Sequence, residues 1–334
     1  MRQSLRFFRS AAVIGFLAAS LGQAKAFTVQ PEQRDARAWM EAVQSAARHQ
    51  SYHGTFVYQQ GDRVRTSRIT HLADGRNEYE KLEILDGKPR EHVRTNDEIV
   101  TYIPETRTLI AEKRSSQEVF PALVASGGAD IESYYAIRKA ETGRVAGFDC
   151  QAIVLEPRDR MRYGYKLWAE KGSGLLLRLQ TLNQDGEVIE QVAFTQLKLG
   201  GIDRQQVRPS HTSTAGWRME QAVTASASAS GWEVRDLPPG FRKIREARRR
   251  LGDPAAGIGA GSARDMIQLV YSDGLAAVSV FIEPGSQSRT EGSLRQGAMH
   301  VIGKRQGDFW LTIVGEIPFP AIRRIADSIE FKSR

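Results

Sequence analysis

The sequence predicts an α+β protein of two units, mainly antiparallel sheet with few helices, and three observations carry that expectation. Residues 53–113 place a turn-forming pair about every ten residues, at Asp74-Gly75, Asp86-Gly87, Asn96-Asp97 and Pro104-Glu105, so the chain must run up and down as a meander. From His211 the composition shifts to Ser, Thr, Ala and Gly, culminating in residues 224–231, which reads as a flexible linker. Apolar residues at helical spacing occur at 34–48, and a last helix is expected at 321–329.

The chain opens with Arg2, Arg6 and Arg9, continues with an apolar run over 11–21, and reaches Ala24-Lys25-Ala26. This is the pattern of a secretory signal peptide cleaved before Phe27, because the run is shorter than the roughly 20 residues a membrane helix needs. Next comes the helix of residues 34–48, with Trp39, Val43, Ala46 and Ala47 on one face, placed to cover the sheet that follows. After the meander, residues 116–126 with Pro121 read as a helical or irregular insertion. Strands are then expected from Tyr134 onward, at 148–155, 163–169, 175–182 and 188–197. Adjacent apolar pairs such as Phe56-Val57, Ile99-Val100 and Leu109-Ile110 imply that both faces are at least partly covered. Either the sheet curls around a cavity or loops form an ordinary second layer.

Beyond the linker, strands are expected at 266–271 and 276–282, joined through Asp273-Gly274, and at 300–304 and 309–315 before the final helix. The expected organisation is therefore a signal peptide at 1–26, a large domain at 27–210, a linker at 211–231 and a small domain at 232–334.

The formal charge is +8, and loss of the first 26 residues removes four basic groups and no acidic one, leaving +4. The remaining excess lies in residues 231–334, which carry 16 basic against 12 acidic groups. A secreted basic protein points to an acidic protein partner or anionic lipid rather than to nucleic acid. Cys150 is the sole cysteine, so no internal disulfide forms, and within an apolar strand it reads as a buried small residue. No Gly-x-Ser-x-Gly elbow is present, and the glycine run at 257–261 lacks a following Lys-Ser/Thr pair. His49 and His53 are four apart, but Gly54 begins a strand, which argues against a helical metal pair. No catalytic residues, metal or cofactor are expected; the chain reads as a binding protein and not an enzyme.

The segments Gly54-Thr55-Phe56-Val57-Tyr58, Arg68-Ile69-Thr70-His71, Glu80-Lys81-Leu82 and Leu85-Asp86-Gly87, with a second block at Tyr271-Ser272-Asp273-Gly274-Leu275 and Ile313-Val314-Gly315-Glu316-Ile317-Pro318, resemble the RseB/MucB family. The resemblance implies a LolA/LolB-like N-terminal domain, an unclosed antiparallel barrel wrapped around helices, followed by a small α+β domain. It also implies a periplasmic negative regulator of the sigma-E envelope-stress response. Such a regulator binds the periplasmic domain of an RseA/MucA-like anti-sigma factor, shields it from proteolysis, and is released by lipopolysaccharide or lipoprotein acyl chains. The alternative is a periplasmic lipid or lipoprotein carrier, and self-association as a homo-oligomer stays open. The expected acyl pocket is Phe56, Tyr58, Leu82, Ile84, Tyr102 and Trp168. The expected partner patch is Arg242, Lys243, Arg245, Arg248, Arg249 and Arg250, whose long-range field would raise association rates with an acidic segment.

Overall fold

The computed structural model describes residues 34–113, 120, 131–221, 225–226, 230–251, 264–285 and 289–332. The expected signal peptide, most of the 116–126 insertion and the glycine run at 257–261 lie outside them. Helix α1 (Ala36–His49) begins where Asp35 Oδ1 accepts a hydrogen bond from the Ala38 amide at 2.8 Å, satisfying one of the free N–H groups of the first turn. Arg48 and His49 sit in its last turn, where positive charge suits the helix dipole. Trp39, Met40, Val43, Ala46 and Ala47 are buried, the face that the spacing predicts.

The first sheet has twelve strands. In chain order they are β1 (Tyr52–Gln60), β2 (Arg63–Asp74), β3 (Asn77–Ile84), β4 (Arg90–Thr95), β5 (Glu98–Ile103), β6 (Thr108–Lys113), β7 (Tyr135–Val145), β8 (Phe148–Pro157), β9 (Gly164–Glu170), β10 (Leu176–Leu182), β11 (Val188–Leu199) and β12 (Arg218–Gln221); a single helical turn, α2 (Ile131–Tyr134), precedes β7. Their spatial order is β12-β6-β5-β4-β3-β2-β1-β11-β10-β9-β8-β7. The order is linear, so the sheet is not closed, as the unclosed barrel requires. It is two meanders fused where β1 pairs with β11, a junction made by residues far apart in sequence. The turns use the residues expected: Gly75 and Gly87 have φ of +64° and +71°, values that a Cβ would strain.

The second sheet contains β13 (Ala225–Ser226), β15 (Arg242–Leu251), β16 (Arg264–Ser272), β17 (Ala277–Pro284), β18 (Gly292–Gln296), β19 (Met299–Gln306) and β20 (Phe309–Gly315), ordered β13-β15-β16-β17-β20-β19-β18. Strand β14 (Trp232–Val234) pairs with β21 (Ile329–Phe331), and helix α3 (Phe319–Asp327) buries Ala321, Ile322, Ile325 and Ala326 in the same cluster as Leu269, Val280, Leu311 and Ile313. The stretch read as a linker holds two short strands: β12 runs parallel to β6, and β13 lies on the edge of β15.

Each sheet has its own core cluster, and at the seam between them Leu275 packs against the first cluster, Met161 against the second, and a polar network joins the two units. Arg162, fully buried, donates from Nε and Nη2 to Asp159 and, across the seam, from Nη1 to Asp273 Oδ2 and from Nη2 to the Pro239 carbonyl, each at 2.5 Å. The guanidinium also lies over the rings of Tyr134, Tyr135 and Phe241 at 4.8, 5.5 and 5.8 Å. Asp273 is held ready by its own turn, its Oδ1 accepting the Leu275 and Ala276 amides. Close approach depends on Gly240, where a Cβ would fall 2.5 Å from the Tyr134 ring and φ is +82°.

Candidate functional site

Strand alternation decides which candidate side chains can share a surface. Pairing puts Phe56 beside Ser67 and Ile84, and Leu82 beside Ile69, on the face that α1 covers. Tyr58 is on this face too, and its hydroxyl donates to Glu190 at 2.9 Å. Tyr102 stands opposite Glu91, which stands opposite Glu83 and so in the row of Arg68 and Thr55, on the other face. Trp168 pairs through Arg178 and Ala193 to Val57, also on that other face. The six residues expected to line one acyl pocket therefore divide four against two. Adjacent apolar residues point to opposite sides of a pleated sheet, and a two-sided apolar surplus does not by itself make one cavity.

Phe56 is packed with Phe120 and Phe194, ring centroids 5.5 and 5.9 Å away, and is 6 % exposed. Leu82 and Ile84 are half-buried. Tyr102 lies beside His211 and Trp217, at 6.4 and 6.3 Å, two residues of the stretch that composition reads as linker. Trp168 lies beneath two cations, Lys166 and Arg178, at 5.1 and 5.7 Å, an arrangement that screens its ring with charge.

A hollow of about 380 Å³ opens on the second face, lined by His53, Thr55, Arg68, Thr70, Lys81, Glu83, Gln196 and Gln206. Burial, then the charge of Arg68, hold His53 below its ordinary value, so the imidazole is neutral and its Nδ1 is 2.8 Å from the Thr70 hydroxyl. His49, at the end of α1, turns Nδ1 to the Ser45 carbonyl instead, and the two histidines do not converge. None of the six acyl candidates lines this hollow.

The basic run expected as a partner patch occupies β15, and the pairing of that strand fixes how its cations are distributed. Arg242 pairs with Ser272 and Arg245 with Val270, whereas Lys243 pairs with Tyr271 and Arg248 with Ile267, so alternation divides the cations between two faces. Arg249 and Arg250 continue the ladder opposite Met266 and Asp265. Lys243 is neutralised by Glu246 at 2.7 Å, while Arg242 and Arg248 are exposed.

Cys150 is fully buried, and burial pushes its thiol up to about 11. Since the thiolate is the reactive form, a water-soluble disulfide reagent at neutral pH should modify it only after unfolding; labelling of the native protein at the rate of a free thiol would contradict this assignment.

With the geometry in place, comparison with known proteins is decisive. The sequence profile of the MucB/RseB N-terminal domain matches residues 35–211, and that of the MucB/RseB C-terminal domain matches residues 226–330. The chain belongs to the MucB/RseB family. A Pseudomonas aeruginosa relative named sigma factor AlgU regulatory protein MucB is 31% identical over 312 residues, covering 88% of this chain and 90% of that protein. The Escherichia coli K12 sigma-E factor regulatory protein RseB is 26% identical over 300 residues, with 88% and 90% covered. The structure of the P. aeruginosa MucA/MucB complex superposes with a TM-score of 0.69 at 28% identity, covering 90% of this chain and 99% of that one. This MucB/RseB protein is thus a regulatory protein rather than an enzyme, built from two sheet units. The residues that join those units, Arg162, Asp273 and Glu190, are not among those the sequence singles out. Arg162 sits in the charged stretch 158–162 and Asp273 in a turn-forming Asp-Gly pair, contexts that read locally as surface.

Proposed function

We propose that this protein is a periplasmic negative regulator of a sigma-E-type response, binding the periplasmic segment of an RseA/MucA-like anti-sigma factor and protecting it from proteolysis until a lipid-type signal releases it. The observation that carries the reading is the near full-length likeness, in both sequence and fold, to MucB as it stands in complex with MucA. The domain division at 27–210, 211–231 and 232–334 belongs to the same reading. So does the entry of an acyl chain along the α1-covered face beside Leu82 and Ile84, with Phe56 and Tyr58 behind them.

The test is direct. The chain from residue 27 should bind the purified periplasmic segment of the anti-sigma factor from the same organism and slow its cleavage by the protease that initiates its degradation. Addition of lipid A or an acylated peptide should then restore cleavage. Acyl-ligand binding without any anti-sigma binding would assign the chain to lipid carriage instead.

Charge at the two exposed arginines of β15, Arg242 on one face and Arg248 on the other, should act on the encounter. Reversal at Arg242 and Arg248 is expected to lower the association rate constant roughly tenfold at low salt with little change in dissociation, because exposed charges steer approach more than they hold the complex. Unchanged stopped-flow kinetics would make these arginines ordinary solvated groups.

A further inference from the structure

The stretch that composition reads as linker is docked along the second face of the first sheet. It leaves β11 with the Gly200 amide donating to the Ser51 carbonyl at 2.7 Å. Arg204 then pairs with Asp74 at 2.6 Å and lies over the Tyr79 ring at 5.1 Å, and Val207 is buried. The Ser210 amide donates to Glu91 Oε1 at 2.9 Å, and Lys81 Nζ donates to the Ser210 hydroxyl at 3.0 Å. Trp217 reaches the Tyr102 ring, and the Arg218 amide donates to the Arg107 carbonyl. Residues 200–217 therefore form a strap running from β1 to β6. The hollow on this face is walled by the sheet and, on the strap side, by Gln206.

Charge in this hollow does not balance. Its wall carries Arg68, Lys81 and one carboxylate, Glu83. Glu83 lies 3.8 Å from Lys81, and Glu91, next along the row, lies 3.9 Å from it, so both carboxylates face the lysine. Arg68 is the cross-strand neighbour of Glu83, yet among the described residues no carboxylate comes within 4.0 Å of its guanidinium. A half-buried guanidinium with its fork of N–H donors unmet favours an anion. Neutral His53, its Nδ1 engaged with the Thr70 hydroxyl, adds no charge. Gln206 turns Oε1 to the Asp203 amide at 2.9 Å, which leaves its Nε2 as a donor toward the hollow. Thr55 and Gln196 add a hydroxyl and a second amide.

We propose that the hollow between strap and sheet binds a small monocarboxylate, with its carboxylate on Arg68 and its hydroxyl or amide groups on Gln206, Gln196 and Thr55. Guanidinium and carboxylate are both planar and can form two parallel charge-assisted hydrogen bonds. One negative charge is matched and a second is not, because Glu83, with Glu91 behind it, repels further anionic charge. The volume lies near the lower end of the roughly 300–1,000 Å³ usual for small-molecule sites, which suits a hydroxy acid or the carboxyl end of a short peptide. An aliphatic chain finds no apolar wall among these residues, so the site differs in chemistry from the acyl-bearing face along α1. Binding here requires no anti-sigma factor, and its failure is therefore distinguishable from failure of the regulatory reading.

Titration of the chain from residue 27 with N-acetyl-alanyl-alanine and, separately, with gluconate tests the site, the two probes standing for a peptide terminus and a hydroxy acid. Followed by amide NMR, at least one should give saturable shifts at His53, Thr55, Thr70 and Gln206 with a dissociation constant on the order of 1 mM; the tighter one names the source. Their uncharged counterparts, the dipeptide amide and glucitol, should bind at least roughly tenfold more weakly, since the charged hydrogen bonds are lost. Inorganic phosphate should also bind more weakly than the better carboxylate. Arg68→Gln should weaken binding roughly tenfold at unchanged denaturant midpoint. Gln206→Ala, a change at an exposed strap position that leaves the sheet intact, should weaken it roughly threefold. No saturable shift with either carboxylate, equal binding of the uncharged counterpart, tighter binding of phosphate, or unchanged affinity in either variant would each overturn the proposal.

Discussion

Arg162→Met lowers the unfolding free energy by about 3–5 kcal/mol, the expected loss when one member of a buried ion pair is removed and its partner stays charged. Asp273 would be left at 0 % exposure with no cation, and the Pro239 carbonyl would lose its charged donor. Because the pair joins two units, each with its own core cluster, the loss should also divide the unfolding transition. Denaturant titration followed by tryptophan fluorescence is the measurement, with Trp39 and Trp168 reporting the first unit and Trp232 and Trp310 the second. Addition of Asp273→Asn to Arg162→Met should recover part of the stability, since the orphaned charge is then gone. A single transition at unchanged midpoint would show that the seam contributes nothing to holding the units together.

Phe56→Ala should be almost as severe, at about 3–5 kcal/mol, because it empties the centre of an aromatic group in a packed core. Phe120 and Phe194 stand 5.2 Å apart on its far side, and Gly54 leaves no room for a side chain against Phe194, whose ring carbon would meet a Cβ at 2.7 Å. Collapse of the neighbours into the vacancy is limited by that tight wall. The same substitution separates two roles. A drop in denaturant midpoint with the m-value unchanged makes Phe56 a core residue; full stability with loss of acyl-ligand binding would make it a pocket wall.

The elements were legible because their signals are local. Helix α1 was readable from Trp39, Val43, Ala46 and Ala47, which fall on one side of a 3.6-residue turn and are buried there. The hairpins were readable from Asp74-Gly75 and Asp86-Gly87, since a positive φ is a property of one residue and its neighbours. Strand β12 was not readable: Arg218–Gln221 follows a stretch of small residues, and its order comes from a parallel pairing with Thr108–Ala111 about a hundred residues earlier. Which β15 cations share a face was hidden by the register shift between Lys243 and Arg245, which places Ile244 out of the ladder and resets the alternation.

What the sequence alone determined was the set of elements, the antiparallel connection of successive strands, the placement of Cys150 inside, and membership of the MucB/RseB family through motifs quoted residue by residue. Only the tertiary structure decided which faces those motifs present and how the two units meet. Arg162 and Asp273 are 111 residues apart, and Glu190 and Ala298 are 108 apart. A charged residue reads as surface unless its partner is known, because burying a charge is unfavourable by itself and becomes tolerable only with the opposite charge or donors in place. Periodicity carries the first kind of information within a few residues. The second kind exists only once distant segments have come together.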